Sequence, residues 1–155
     1  MPIISNLYDK AKERNILSGI VISDLIAFFA YLIFPSGFAF FGDFHMIIGT
    51  GIGVYFGLSH KKEMQSYIKT GLIVGLLGAL FSGISIAFFE WTIYIIRISF
   101  SLTSLLLFLG VFIIEAIIIG IPIGGILGLY FKSKGKTVPR TNKREEEFYR
   151  SLEEQ

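Results

Sequence analysis

From Asn15 to Phe131 the chain is apolar with three short polar breaks, at Pro35-Ser36-Gly37, at 59–66 and around Arg97 to Ser104. The breaks leave four apolar runs, at about 15–34, 38–58, 67–92 and 105–131. Each has close to the ~20 residues that carry a helix across ~30 Å of hydrocarbon. The pattern predicts an all-α, polytopic membrane protein with four transmembrane helices. Because Pro35-Ser36-Gly37 is a strong turn signal between the first two runs, the helices on either side should form an antiparallel hairpin. Glu90, Trp91 and Tyr94 mark an interface at the end of the third run, where amphipathic rings prefer to sit. Arg97 and the Ser/Thr-rich piece 99–104 then close a second antiparallel hairpin. Pro122 lies inside the fourth run and predicts a kink, since it cannot donate to the carbonyl of Ile118.

The flanks are polar. Residues 1–14 read either as a short interfacial helix, with Ile3, Ile4, Leu7 and Tyr8 toward lipid and Asp9, Lys10 and Lys12 toward water, or as a frayed leader. The 132–155 tail is basic as far as Arg144 and then acidic, with a short helix expected over 145–154. If all four runs cross, both termini and the 59–66 loop share one side. That side then holds every Lys and Arg except Arg97. The positive-inside rule places both termini in the cytoplasm and the chain in the cell membrane as a multi-pass protein.

Composition agrees with this picture. The chain is 53% hydrophobic and 17% charged, against about a quarter charged in soluble domains. With no cysteine, disulfides and thiolate chemistry are excluded. The first run follows a basic segment, as a signal peptide would, but its apolar core is too long and no small-x-small cleavage site precedes Pro35. It is read as a retained helix.

Small residues recur at intervals of four on every run. The third carries Gly71, Gly75, Ala79, Gly83 and Ala87, the fourth Ala116, Gly120, Gly124 and Gly128, the second Gly49, Gly53 and Gly57, and the first Gly19, Ser23 and Ala27. Such stripes let backbones approach closely in lipid, where no hydrophobic force draws helices together. They predict a compact bundle without a wide aqueous pore. One stripe could equally serve a second subunit. The two ladders, Ile48 to Phe56 and Ile123 to Phe131, align at an offset of 75 residues. A duplicated hairpin and two independently glycine-rich helix ends both account for that.

Ionisable residues within membrane spans are costly and are the candidates for function. They are Asp24, Asp43, His45 and Glu115. At ~1.5 Å per residue, Glu115 lies about 24 Å from Phe131, His45 about 20 Å from Leu58, and Asp24 roughly 14 Å from Asn15. One reading is a proton or cation path through Asp43, His45, Glu115 and Asp24, with a histidine that titrates near neutral pH. The other places Asp43 and His45 at the water interface and gives Glu115 and Asp24 ordinary polar contacts within the bundle or with a partner subunit. Glu90 and Arg97, seven apart, suggest a salt bridge at the outer rim. His60 and Glu63 have metal-like spacing, but two ligands in a basic loop are read as a solvated loop. No GxSxG, GxxxxGK[ST] or HExxH motif occurs, so no catalytic residue, metal or cofactor is assigned.

Two functions follow. The first is a small membrane subunit or assembly protein that packs as a homo-oligomer or against other membrane protein subunits. The second is a small oligomeric ion, proton or solute channel or transporter. The basic tail is expected to contact anionic lipid, and nucleic-acid binding is not expected.

Overall fold

The computed structural model describes Ala11 and residues 14–33, 44–61 and 65–137, with side chains as far as Lys134. The expectations for Asp43, Glu63, the Pro35-Ser36-Gly37 turn, most of the N-terminal segment and the tail beyond Thr137 lie outside these residues. Among those described the fold is all-helical, with four helices and no strand: α1 (Asn15–Ile33), α2 (Phe44–Ser59), α3 (Tyr67–Arg97) and α4 (Leu102–Thr137).

Three of the helices, α1, α3 and α4, are long and apolar enough to cross a membrane. The described part of α2 is shorter, at 16 residues, or about 24 Å, and the start expected near Phe38 is not described. Elsewhere the polar breaks are shorter than the sequence pattern suggests. α3 continues through Glu90 to Arg97, and α4 begins at Leu102. The reason lies in Ser101. Its Oγ accepts from the Ser104 amide at 3.3 Å, and Ser104 Oγ donates back to the Ser101 carbonyl at 2.8 Å. A hydroxyl three residues ahead of an otherwise unpaired amide is the arrangement that starts a helix. Trp91 Nε1 also donates to the Ser101 carbonyl, at 2.9 Å, fastening the end of α3 to the start of α4. At its far end α4 runs past the expected exit at Phe131 to Thr137, and it continues through Pro122. No ion pair joins Glu90 to Arg97, which is exposed.

α2 and α3 each touch all three other helices. Among the described residues, α1 and α4 do not meet. Along the α3 and α4 contact, residue numbers rise on one helix as they fall on the other. Gly71 lies against Gly124 and Gly128, Gly75 against Gly120 and Gly124, and Gly83 against Phe112. At Gly75 a Cβ would meet the Gly120 carbonyl, and at Gly124 one would meet that of Gly71. Backbone therefore touches backbone, an approach only glycine allows. α1 meets α2 in the same opposed sense, with Gly19 at Gly53 and Gly57, Ser23 at Gly49 and Gly53, and Ala27 at Gly49.

The interior has two apolar clusters. One joins Tyr31, Met46, Ala79, Ile86, Ala116 and Ile119, and the other joins Ile20, Val54, Leu58 and Val74. The outside is apolar as well. Phe29, Leu107, Ile118 and Ile126 are each more than half exposed. An apolar surface that surrounds the molecule is not sustained in water, and it suits association with a membrane.

Candidate functional site

Besides Asn15 and Thr70 near the starts of α1 and α3, the buried polar groups lie at two levels of the bundle. The first is the level of the Tyr31 cluster. Tyr31, near the end of α1, meets His45, near the start of α2, with ring centroids 5.1 Å apart and planes at 67°. Tyr31 also meets Phe89 of α3 edge-on at 6.1 Å, and Phe28 meets the same ring at 5.5 Å. Both Tyr31 and His45 are buried. Glu115 precedes Ala116, and His45 precedes Met46, and Ala116 and Met46 share one cluster. His45 and Glu115 thus each adjoin a residue of this cluster, and one carboxylate oxygen of Glu115 is buried.

The second level lies between the two apolar clusters. On α1, Ser23 falls between Ile20 of one cluster and Tyr31 of the other. On α2, Thr50 falls between Met46 and Val54, one helical turn from each. Ser82 of α3 has no solvent exposure either, but it falls between Ala79 and Ile86, both of the Tyr31 cluster. Ser82 Oγ donates to the Gly78 carbonyl at 2.8 Å, a back-bond of the kind that satisfies a helical serine in an apolar setting. Ser23 Oγ packs on Gly78, where a Cβ would approach it to 2.7 Å. Among the described residues, Ser23 Oγ, Thr50 Oγ1 and Asp24 Oδ1 are buried with no hydrogen-bond partner. Such groups are expensive to keep dry.

The sequence candidates therefore fall into separate places. His45 and Glu115 each adjoin a residue of the Tyr31 cluster, Asp24 belongs to a helix that among the described residues does not meet α4, and Asp43 is not described. Gly49 and Gly53 face α1, while Gly57 faces both Val74 of α3 and the Asn15 carbonyl. Gly71, Gly75 and Gly83 face α4, with Gly120, Gly124 and Gly128 opposite them on α4, and Ala79 of α3 is fully buried beside them. His60 Nδ1 lies 3.1 Å from the Phe56 carbonyl, and its ring tilts over that of Phe56 at 4.5 Å.

Three residues that carry the interior were not singled out in the sequence as polar sites. Thr50 sits inside the first glycine ladder, where spacing signals packing and hides a hydroxyl. Tyr31 belongs to an aromatic run that reads as lipid-facing. Asn15 reads only as a helix start, yet it is buried, and its Nδ2 donates to the Gly57 carbonyl at 2.9 Å and to Gln65 Oε1 at 3.0 Å. Its signal was a side-chain amide at the first residue of an apolar run. No protein-family model, curated protein or solved structure matches the chain.

Proposed function

We propose that the chain is a small integral membrane subunit or assembly protein. Its four helices insert as two antiparallel hairpins with both termini cytoplasmic, and it packs with copies of itself or with a larger membrane complex. The observation that carries this is the uneven covering of α4. One face of α4 is closed against α3 at Gly120, Gly124 and Gly128, while Leu106, Val111, Ile114, Ile118, Ile121 and Leu129 are exposed along the rest. Of the three long helices, α4 has the smallest buried share. Interior packing at glycine backbones leaves little width for an aqueous path, and the outer face of α4 is free to meet lipid or another subunit.

The chain has no cysteine, so single substitutions such as Ile114→Cys, Ile118→Cys and Ile121→Cys each introduce one thiol. In native membranes, oxidation should cross-link a subset of α4 positions with the period of a helix face. A chain that yields no cross-link at any exposed α4 position, and that purifies from its native membrane as a lone monomer, sinks the assembly function.

A channel or transporter is the second reading, and the observation favouring it is the set of unpartnered oxygens on Ser23, Asp24 and Thr50. Buried polar groups in membrane spans commonly mark ion or proton routes. On this reading, proteoliposomes carry an ion or proton flux that Asp24→Asn and Glu115→Gln bring to background. No flux in the unaltered protein, or a flux indifferent to both substitutions, ends it.

A further inference from the structure

One end of the bundle gathers aromatic rings and cations. There α1 and α3 begin and α2 and α4 end. Tyr55 of α2 and Tyr67 of α3 both pack on Phe131 of α4, with ring centroids 5.5 and 6.3 Å away, and Tyr130 lies 5.7 Å from the same ring. Amino groups stand over two of these rings. Lys61 Nζ is 4.3 Å from the Tyr67 centroid, and Lys134 Nζ is 6.0 Å from that of Tyr130. Arg14, Lys69 and Lys132 are exposed around the same end.

The described carboxylates lie elsewhere. Asp24 is more than two turns into α1, and Glu90 and Glu115 are toward the opposite end. The charge at this end is therefore of one sign among the described residues. Tyr55 and Tyr130 are 57% and 53% exposed, and immediately inward Ile52 and Ile126 are exposed too. One turn inward from Tyr55, a Cβ on Gly51 would meet nothing within 4 Å. Along α4 the surface thus changes over about two turns, from apolar at Ile126 to aromatic at Tyr130 and cationic at Lys134.

We propose that this rim is a binding site for the headgroup phosphate of an anionic glycerophospholipid, with the acyl chains lying along the exposed faces of α2 and α4. The layers match the ligand in order. Apolar side chains and the space at Gly51 meet the tails, tyrosine rings sit at the depth where amphipathic rings prefer to lie, and lysines meet the phosphate. Stacking over Tyr67 and Tyr130 holds the lysine stems in place through the attraction of a cation for a ring face. Less side-chain freedom is then lost when phosphate arrives. The proposal rests on the membrane-spanning reading, and it moves the anionic-lipid contact from the tail to a structured end of the bundle.

The test reconstitutes the full chain into bilayer discs of mixed phosphatidylcholine and phosphatidylglycerol, extracts it gently and measures which lipid it retains. The unaltered protein should enrich phosphatidylglycerol. Lys61→Gln and Lys134→Gln should each lower that enrichment about fivefold, the usual weight of one basic residue at an anionic surface. Lys61→Arg and Lys134→Arg, which keep the charge, should retain most of it. Arg97→Gln, at the other end, should leave it unchanged. Absence of enrichment in the unaltered protein overturns the site, as does an equal loss in Arg97→Gln, which would mark diffuse attraction. Failure to incorporate into pure phosphatidylcholine bilayers overturns the membrane-spanning reading as well, whereas incorporation without a lipid preference overturns this site alone.

Discussion

Gly75→Leu should push α3 from α4 and strongly destabilise the bundle, whereas Gly110→Leu should leave it intact. At Gly75 the first added carbon already meets the Gly120 carbonyl and stands 2.9 Å from the Gly124 Cα. Neither contact is with a flexible side chain, so relief requires the helices to move apart. That movement would also open the Gly71 contact with Gly124 and the Gly83 contact with Phe112, since all three lie on one face of α3. Overpacking a well-filled interior costs about 1–3 kcal/mol. A clash against rigid backbone belongs at or above the top of that range, a large fraction of a typical stability of 5–15 kcal/mol. At Gly110 an added carbon meets nothing within 4 Å, and the side chain projects into the surroundings. The single tryptophan, Trp91, bonded to the Ser101 carbonyl across the α3 to α4 turn, provides a fluorescence probe of the separation. Equal thermal midpoints for Gly75→Leu and Gly110→Leu would show that close backbone approach is not what holds this pair.

This contrast also marks how far the sequence could be read. Small residues at intervals of four identify a face of a helix, and apolar runs separated by polar breaks identify the helices themselves. Neither names the partner of a face. On α3 the expected stripe begins Gly71, Gly75, Ala79. Gly78, outside that stripe, meets Ser23 of α1, so α3 has two packing faces. The second face was obscure because a single glycine off the main register looks like ordinary membrane-helix composition. Helix ends were blurred for a different reason. Serine and threonine in the 99–104 piece look like a loop by composition, yet Ser101 and Ser104 bond reciprocally and begin α4. The polar interior was legible only in part. A charge in an apolar run stands out, so Asp24, His45 and Glu115 could be found from spacing alone. A hydroxyl such as Thr50, among glycines, becomes conspicuous only when its burial is known. That the neighbours Met46 and Ala116 meet in one cluster depends on how the helices pack, which no local pattern encodes.

Asn15→Asp should destabilise the bundle more than Asn15→Leu, and both more than any exposed substitution on the same helix, such as Leu17→Ala. The Gly57 carbonyl, in the last turn of α2, would ordinarily accept from the amide of Lys61. That amide instead bonds to the Leu58 carbonyl at 3.2 Å, and the His60 amide to that of Phe56 at 3.2 Å. Gly57 is thus left with one of the orphan carbonyls that every helix end must settle. Asn15 settles it from another helix, and the same amide nitrogen reaches Gln65 just ahead of α3. One side chain therefore ties the start of α1 to the end of α2 and the approach to α3. Leucine, similar in size, removes the donor and leaves a buried carbonyl unpaired, at a cost of about 1–3 kcal/mol. Aspartate replaces the donor with a carboxylate facing a carbonyl, adding repulsion and the burial of a charge. Thermal unfolding of the full chain in one detergent should rank the proteins as unaltered, then Leu, then Asp, and hydrogen exchange should rise first in the last turn of α2. Should Asn15→Asp match the unaltered protein, the amide is not a donor here, and the end of α2 must be held by the ring contacts of Tyr55 and Phe56 alone. If the ranking holds, the aromatic and basic rim depends on a buried amide beneath it, because Tyr55, Lys61 and Tyr67 are carried by the segments that Asn15 ties together.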